Sequence, residues 1–364
     1  MVDYHEKIKE IESLLARAKC NKATEKWFGL MKVRLSQLRA KIEKKAAKGK
    51  KKEGFFVKKS GDATVVLVGF PSVGKSTLLN AITGSKSKIA AYAFTTLTVI
   101  PGTLNYNGAK IQILDVPGII GGAAFGKGRG KEVLAMARNA DLILFVVEVT
   151  HPEHYPVLKK EVHNVNIRVD KIKPIVKIVK QAKGGLSIAS TVKLTKVTMG
   201  TLKEILRGYK TMNADVVIRD DVSMDDFIDA LEGNRSYIPS LVAVSKTDLV
   251  SKAKAKEVGE MLNGLPVSAE TGEGIEELKE LLFESLKFVR IFLKEVNKKP
   301  DLDEPMVLKR PVTIRDVCTR IHRDFVKKFR FAKVWGKSAK FPGQQFQKLH
   351  KKLEDGDIIE IHVS

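Results

Sequence analysis

Gly69-Phe70-Pro71-Ser72-Val73-Gly74-Lys75-Ser76, with Thr77 behind it, satisfies the spacing G-x-x-x-x-G-K-[ST] at every defined position. Small residues at this spacing let backbone N–H groups wrap a di- or triphosphate, and a helix N-terminus adds its partial positive charge. In that arrangement Lys75 reaches the β- and γ-phosphates, and the Ser76 hydroxyl ligates Mg²⁺. Asp115-Val116-Pro117-Gly118 supplies an acid that can hold Mg²⁺ through water and a glycine whose N–H can meet the γ-phosphate. Between the two lies Thr95-Thr96, where a triphosphate-sensing loop would fall. Ser245-Lys246-Thr247-Asp248 and Ser268-Ala269-Glu270 address the base. Asp248 is placed to accept hydrogens from N1–H and the exocyclic amine of guanine. Adenine offers neither, so a site built on that carboxylate rejects it by about 10⁴-fold. The stem of Lys246 would cover one face of the base, and Ser268-Ala269 would offer a backbone N–H to guanine O6.

These groups need rigid elements behind them. The apolar run Ala63 to Val68 leads into the phosphate loop, and Ser76 to Ala81 reads as the first turns of a helix. Lys110 to Leu114 forms a strand ending at Asp115, Asp141 to Val149 is a buried strand, and Ser240 to Val244 leads into Ser245. From Ala63 to about Leu286 strands alternate with helices, which predicts an α/β, doubly wound, mostly parallel sheet. Glycine-rich Gly121 to Gly130 is a candidate switch segment. Residues 163–240 depart from a minimal nucleotide domain and read as an inserted α+β subdomain. In it, Ile175 to Lys180, a turn at Lys183-Gly184-Gly185 and Leu186-Ser187-Ile188 read as a hairpin. A helix (Thr201 to Tyr209), a strand (Val216 to Ile218) and an acidic helix (Met224 to Leu231) follow.

The net charge of +23 lies at the two ends. Residues 1–60 hold 18 Lys/Arg against 7 Asp/Glu, residues 287–364 hold 19 against 10, and the 61–286 segment holds 28 against 25. Basic flanks around a nearly neutral middle are the footprint of nucleic-acid binding, with solvated lysine faces as the bland alternative. Residues 3–46 carry a helical period broken at Asn21-Lys22-Ala23-Thr24, which predicts a helical hairpin with a narrow apolar stripe. Lys41 to Lys52 follows as a basic tail or linker, read first as a phosphate or RNA contact. At the other end, Val289 to Leu293 reads as a strand, Thr313 starts a helix through Ile314, Val317, Ile321 and Phe325, and Asp357 to Val363 is a last strand. Arg320, Arg323, Lys327, Lys328 and Arg330 interleave with Phe329, Phe331 and Trp335. The basic face reads as an RNA contact and each aromatic as core. Cys20 and Cys318 are too far apart for metal-ligand spacing, so neither disulfide nor zinc is expected. No apolar run approaches the ~20 residues that span a bilayer, the N-terminus is not built like a signal peptide, and no DNA-specific motif stands out. A cytoplasmic protein is expected.

In order, GFPSVGKST, FTT, DVPG, SKTD and SAE resemble the translation-factor class of GTPases. YAFTT and the Phe-Pro-Ser phosphate loop are similar to the Obg group. The segment TLKEILRGYKTMNADVVIRDDVSMDDFIDAL and the helical N-terminus with NKATE resemble the developmentally regulated GTP-binding (DRG) family. The C-terminal pieces VRIFLK, VTIRDVCTRIHRDFVKKFRFAKVWG and LEDGDIIEIHV resemble a TGS domain, which is β-grasp-like. The resemblance implies a P-loop NTPase divided into a basic helical region 1–60, a GTP-binding domain 61–286 and a TGS domain 287–364. It further implies GTP/GDP as ligand, Mg²⁺ held by Ser76, Thr96 (with Thr95 as fallback) and Asp115, and phosphate sensing by Asp115 and Gly118. Lys75 and Thr96 would be the catalytic pair. Three residues depart from the pattern: Ser245 stands where Asn is usual, Ile119 where Ras-like proteins carry glutamine, and Ser72 where potassium-stimulated relatives carry Asn. Guanine preference with some loss of affinity and slow hydrolysis follow, and K⁺ activation stays open. The expected role is a nucleotide-dependent switch on the ribosome or ribosomal RNA, with a partner protein of the kind the family uses. The alternatives are a nucleotide-gated RNA-binding module with negligible turnover, or an ATPase.

Overall fold

The structure, a computed structural model, describes residues 4–47, 61–84, 90–91, 98–115 and 137–363. They form two compact units: residues 4–47 with 162–237, and the remainder.

In the larger unit a seven-stranded sheet runs in the order Leu265–Pro266, Ser240–Ser245, Leu142–Glu148, Ala63–Val68, Ala109–Asp115, Thr98–Tyr106, Ala90–Ala91. The first five strands are mutually parallel and the last two are added antiparallel. Every residue of Ala63–Val68 is buried, as a parallel strand covered on both faces requires. The helix Lys75–Thr83 buries Leu78, Leu79 and Ile82, and Ile275–Ser285 buries Ile275, Leu278 and Leu282, into one core with Val65, Leu67, Ile111 and Ile113. Each such side chain contributes roughly 1.5–3 kcal/mol. Gly102 lets the phosphate-loop helix settle on its strand, since a Cβ there would lie 2.7 Å from both Leu79 Cδ1 and Thr83 Cγ2. The fold is the expected P-loop, doubly wound α/β arrangement.

The same unit carries a five-stranded sheet ordered Met306–Lys309, Phe288–Leu293, Asp357–Val363, Phe329–Trp335, Gln344–Phe346. Its first and last strands in sequence pair in parallel at the middle, Ile291 opposite Asp357. A parallel pair needs a crossover, and the intervening chain with the helix Ile314–Ile321 provides it. The expected continuous helix through Phe325 is corrected. His322 is extended (φ −164°, ψ 146°), and its imidazole accepts from the Asp324 N–H at 3.3 Å to start a second helix, Arg323–Lys327. Ile321 and Phe325 keep helical spacing across the break, so periodicity alone cannot reveal it.

Cys318 is fully buried in this core, and burial pushes its thiol up to about 11, whereas Cys20 is exposed. One thiol should therefore react promptly with a disulfide reagent in the native chain and the second only after unfolding. Two prompt equivalents would show that the Ile314–Ile321 helix is not packed as described.

In the smaller unit the helices Tyr4–Arg17 and Glu25–Ala47 are joined at Asn21, whose side-chain oxygen accepts from the Ala23 and Thr24 N–H groups at 3.0 and 2.9 Å. The long helix packs on the helix Met199–Gly208 through glycines on both sides. A Cβ on Gly29 would sit 3.1 Å from Thr201 Cγ2, and one on Gly208 would sit 3.1 Å from Val33 Cγ1. The basic stretch expected from Lys41 is helical as far as Ala47. The expected hairpin is also corrected. Val176–Lys180 and Leu186–Ser190 do not pair with each other, because Ala214–Ile218 lies between them, antiparallel to the first and parallel to the second. Its inward residues Ala214, Val216 and Ile218 are almost wholly buried, which favours the centre of the sheet. The glycine turn wraps around Asn213, whose side chain accepts from the Gly185 N–H at 2.8 Å and donates to Ala182 O at 3.3 Å.

Candidate nucleotide site

The loop Gly69–Gly74 leaves the carboxyl end of the central strand Ala63–Val68, where ligands bind open α/β sheets. Gly69 lies against the neighbouring strand, and a Cβ there would be 2.5 Å from Val146 O and 3.1 Å from Val73 Cγ2. Ser72 and Gly74 turn the backbone through left-handed conformations (φ 64° and 88°). For Ser72 that costs on the order of 1–2 kcal/mol. Pro71 and Ser72 are exposed, Val73 is buried, and Phe70 is half-buried with its ring stacked on His154 at 4.1 Å. The helix starting at Lys75 has no side-chain cap, so its first-turn N–H groups, including those of the exposed Ser76 and Thr77, suit an anion.

Lys75 Nζ donates to Gly69 O (3.1 Å) and Phe70 O (2.8 Å). Desolvation lowers its pKa, and the Asp115 charge opposes that shift. The Ser76 hydroxyl donates to Asp115 Oδ2 at 2.5 Å. Asp115 is only 4 % exposed, and among the described residues its buried Oδ1 has no hydrogen-bond partner. A carboxylate oxygen does not stay buried and unpaired without cost. Hydroxyl and carboxylate are hard oxygen donors, so the pair fits Mg²⁺, held by Ser76 directly and by Asp115 directly or through water.

At the base end, Ser245 is paired in register with Glu148. The Ser245 hydroxyl is buried and lies 2.8 Å from Val73 O and 3.3 Å from Val147 O, so it ties this strand end to the phosphate loop. Lys246 is left-handed (φ 58°) and its ammonium lies 3.2 Å from Glu148 Oε2. Asp248 is exposed, and its Oδ1 accepts from the Ser268 hydroxyl at 2.6 Å. Ser268 is fully buried and also accepts from the Thr271 N–H at 3.2 Å. The Ser268 N–H already donates to Glu273 O (2.9 Å), so of the Ser268-Ala269 pair only the Ala269 N–H can turn to a base. Glu270 is exposed. Thr95, Thr96, Gly118, Ile119 and the Gly121–Gly130 segment lie outside the described residues.

Sequence reasoning missed the Ser268 side chain as the group that orients Asp248, the ion pair of Glu148 with Lys246, and His154 beneath Phe70. Only the position of Glu148 at a strand end signals its place. Replacing Ser245 by Ala strands the Val73 carbonyl. It should cost about 1–3 kcal/mol, seen as a lower thermal midpoint together with weaker nucleotide binding. A variant indistinguishable from wild type in both would rule out the tether.

A family model described as a 50S ribosome-binding GTPase matches residues 64–181. The C-terminal region of that domain matches 183–288, and a TGS domain matches 289–363. An uncharacterised GTP-binding protein of Methanocaldococcus jannaschii is 51 % identical, covering 98 % of this chain and 92 % of its own. Developmentally-regulated G-protein 3 of Arabidopsis thaliana is 44 % identical and the human developmentally-regulated GTP-binding protein 2 is 43 % identical, each covering 98 % of both chains. The chain belongs to the developmentally regulated GTP-binding protein family. It thus joins a GTPase fold to a TGS domain. Among the described residues, no helix is long and apolar enough to cross a membrane.

Proposed function

We propose that the chain binds GTP and GDP, hydrolyses GTP slowly, and acts in the cytoplasm as a nucleotide-dependent switch on the ribosome or its RNA. The observation that carries the nucleotide part is the Ser76–Asp115 pair, whose buried Oδ1 has no partner among the described residues and whose charge acts on the Lys75 ammonium. Lys75 then exchanges two loop carbonyls for phosphate oxygens, the helix N-terminus faces the same charge, and Asp248, steadied by Ser268, reads guanine. When bound, Mg²⁺ supplies charge neutralisation on the phosphates. Catalysis is positional and electrostatic, with no covalent nucleophile. Slow turnover follows from Ile119, which cannot orient water.

Support for the RNA part comes from charge and from the similarity to a family of 50S ribosome-binding GTPases. Arg323, Lys327 and Arg330 are exposed on one short stretch. Phe329 packs on the domain core and Phe331 stacks on His362 at 4.2 Å, so phosphate contact rather than aromatic stacking would supply the affinity. Cosedimentation with ribosomes in GTP, GDP and a non-hydrolysable analogue tests the switch. Binding should differ between nucleotides, fall steeply with salt, and weaken in Arg323→Glu/Lys327→Glu. Equal cosedimentation in every nucleotide state would end the switch reading while leaving nucleotide binding intact.

A further inference from the structure

Beside the phosphate loop, the sequence Thr150-His151-Pro152-Glu153-His154 brings two imidazoles and a carboxylate together as the chain enters the helix His154–Asn164. One ligand atom from each of His151, Glu153 and His154 lies within 4.8 Å of the other two. His151 Nδ1 is 3.0 Å from Glu153 Oε1, and the two imidazole rings stack at 5.1 Å with an interplanar angle of 24°. Among the described residues, His154 Nδ1 is shielded from solvent and has no hydrogen-bond partner. His154 touches the phosphate loop through its ring contact with Phe70, and the His151 N–H donates to Glu148 O at 3.0 Å.

We propose that His151, Glu153 and His154 bind one late first-row divalent metal ion, of the Zn²⁺ or Ni²⁺ kind, at a site separate from that of Mg²⁺. The donor set decides the class: two imidazoles with one carboxylate suit Zn²⁺, Ni²⁺, Co²⁺ and Cu²⁺, while Mg²⁺ prefers an all-oxygen shell. Small side-chain rotations bring the three atoms from their present spread to the ~2.0–2.2 Å ligand distances of such ions, and solvent completes the shell. The position gives the ion a consequence. His154 lies against Phe70, so a bound metal would fix the ring on which one wall of the phosphate loop rests.

The test is calorimetric titration of the full chain with ZnCl₂ and with NiCl₂, in excess MgCl₂ so that hard-ion sites are filled. One ion per chain is expected. His151→Asn and His154→Asn should each weaken binding at least tenfold, and the double variant should abolish it. Cys20→Ser should leave the titration unchanged and so exclude the exposed thiol. Should His154→Asn perturb folding, Glu153→Gln, which removes only an exposed charge, must still weaken binding. Cu²⁺ added to the wild-type chain should show superhyperfine coupling to two nitrogens by electron paramagnetic resonance, and the double variant should not. A titration that is flat, or identical in wild type and double variant, would overturn the assignment. So would a Cu²⁺ spectrum without nitrogen coupling.

Discussion

Replacing Asp248 by Asn should lower GTP affinity by roughly 10²–10⁴-fold while leaving the fold in place. The carboxylate can accept from both N1–H and the exocyclic amine, and each charge-assisted hydrogen bond is worth about 1.5–3 kcal/mol. An amide keeps the shape, loses the charge and offers only one acceptor. It can instead donate to the C2 carbonyl of xanthine, so the same variant should gain affinity for XTP. Competition against a fluorescent guanine nucleotide measures both changes. The exposed position of Asp248 predicts a thermal midpoint near that of wild type without nucleotide, which separates loss of recognition from loss of folding. Ser268→Ala is the companion. It removes the 2.6 Å hydrogen bond that steadies the carboxylate, and should cost on the order of tenfold in affinity with preference for GTP over XTP retained. Equal affinity of the wild-type chain for GTP and ATP would refute the assignment of this end of the site.

The parts of this site that sequence made legible are those whose spacing is fixed by backbone geometry. Gly69, Gly74, Lys75 and Ser76 lie within one loop and one helical turn, so their order in the chain is nearly their order in space. Asp115 and Ser245 stand at the ends of strands rich in apolar residues, and parallel strands bring such ends to one face. Side-chain partnerships between distant segments were not legible. Ser268 reaching Asp248, and Ser245 reaching the Val73 carbonyl, join residues 20 and 172 positions apart, and no local pattern records them. The two errors of secondary structure share one physical cause. Alternation identified Val176–Lys180 and Leu186–Ser190 as strands, but says nothing about a third strand entering between them. Helical spacing likewise ran through His322, where a single extended residue and one side-chain hydrogen bond reset the chain.

In the smaller unit the largest expected stability effect comes from Asp229→Ala, at about 3–5 kcal/mol. Asp229 is 4 % exposed, and two buried arginines share its carboxylate. Arg168 approaches bidentately at 2.5 and 2.8 Å from the middle of the strand Ile167–Val169, and Arg235 Nε lies at 2.7 Å. Arg235 also pairs with Glu232 at 2.9 Å and bonds to Ser36 Oγ at 3.2 Å. Glu232 in turn accepts from Tyr209 Oη at 2.6 Å and from Ser36 of the N-terminal helix Glu25–Ala47. Burial and the Glu232 charge push the Tyr209 phenol upward, so it stays a neutral donor at any ordinary pH. Deleting Asp229 would therefore leave the buried Arg168 guanidinium without a counter-charge and Arg235 with Glu232 alone, at the point where three elements meet. Trp27 lies in this unit and Trp335 in the other, so a Trp335→Phe background reports unfolding of the smaller unit alone. With a urea slope of about 2 kcal/mol/M, the Trp27 midpoint should fall by roughly 1.5–2.5 M. The combined replacement Asp229→Leu/Arg168→Met should cost less than Asp229→Ala, because it leaves Arg235 paired with Glu232 and strands no charge. A loss below about 1 kcal/mol in the single variant would mean that water reaches the arginines. The hydrogen-bonded network would then not be what fastens the N-terminal helices to the inserted sheet.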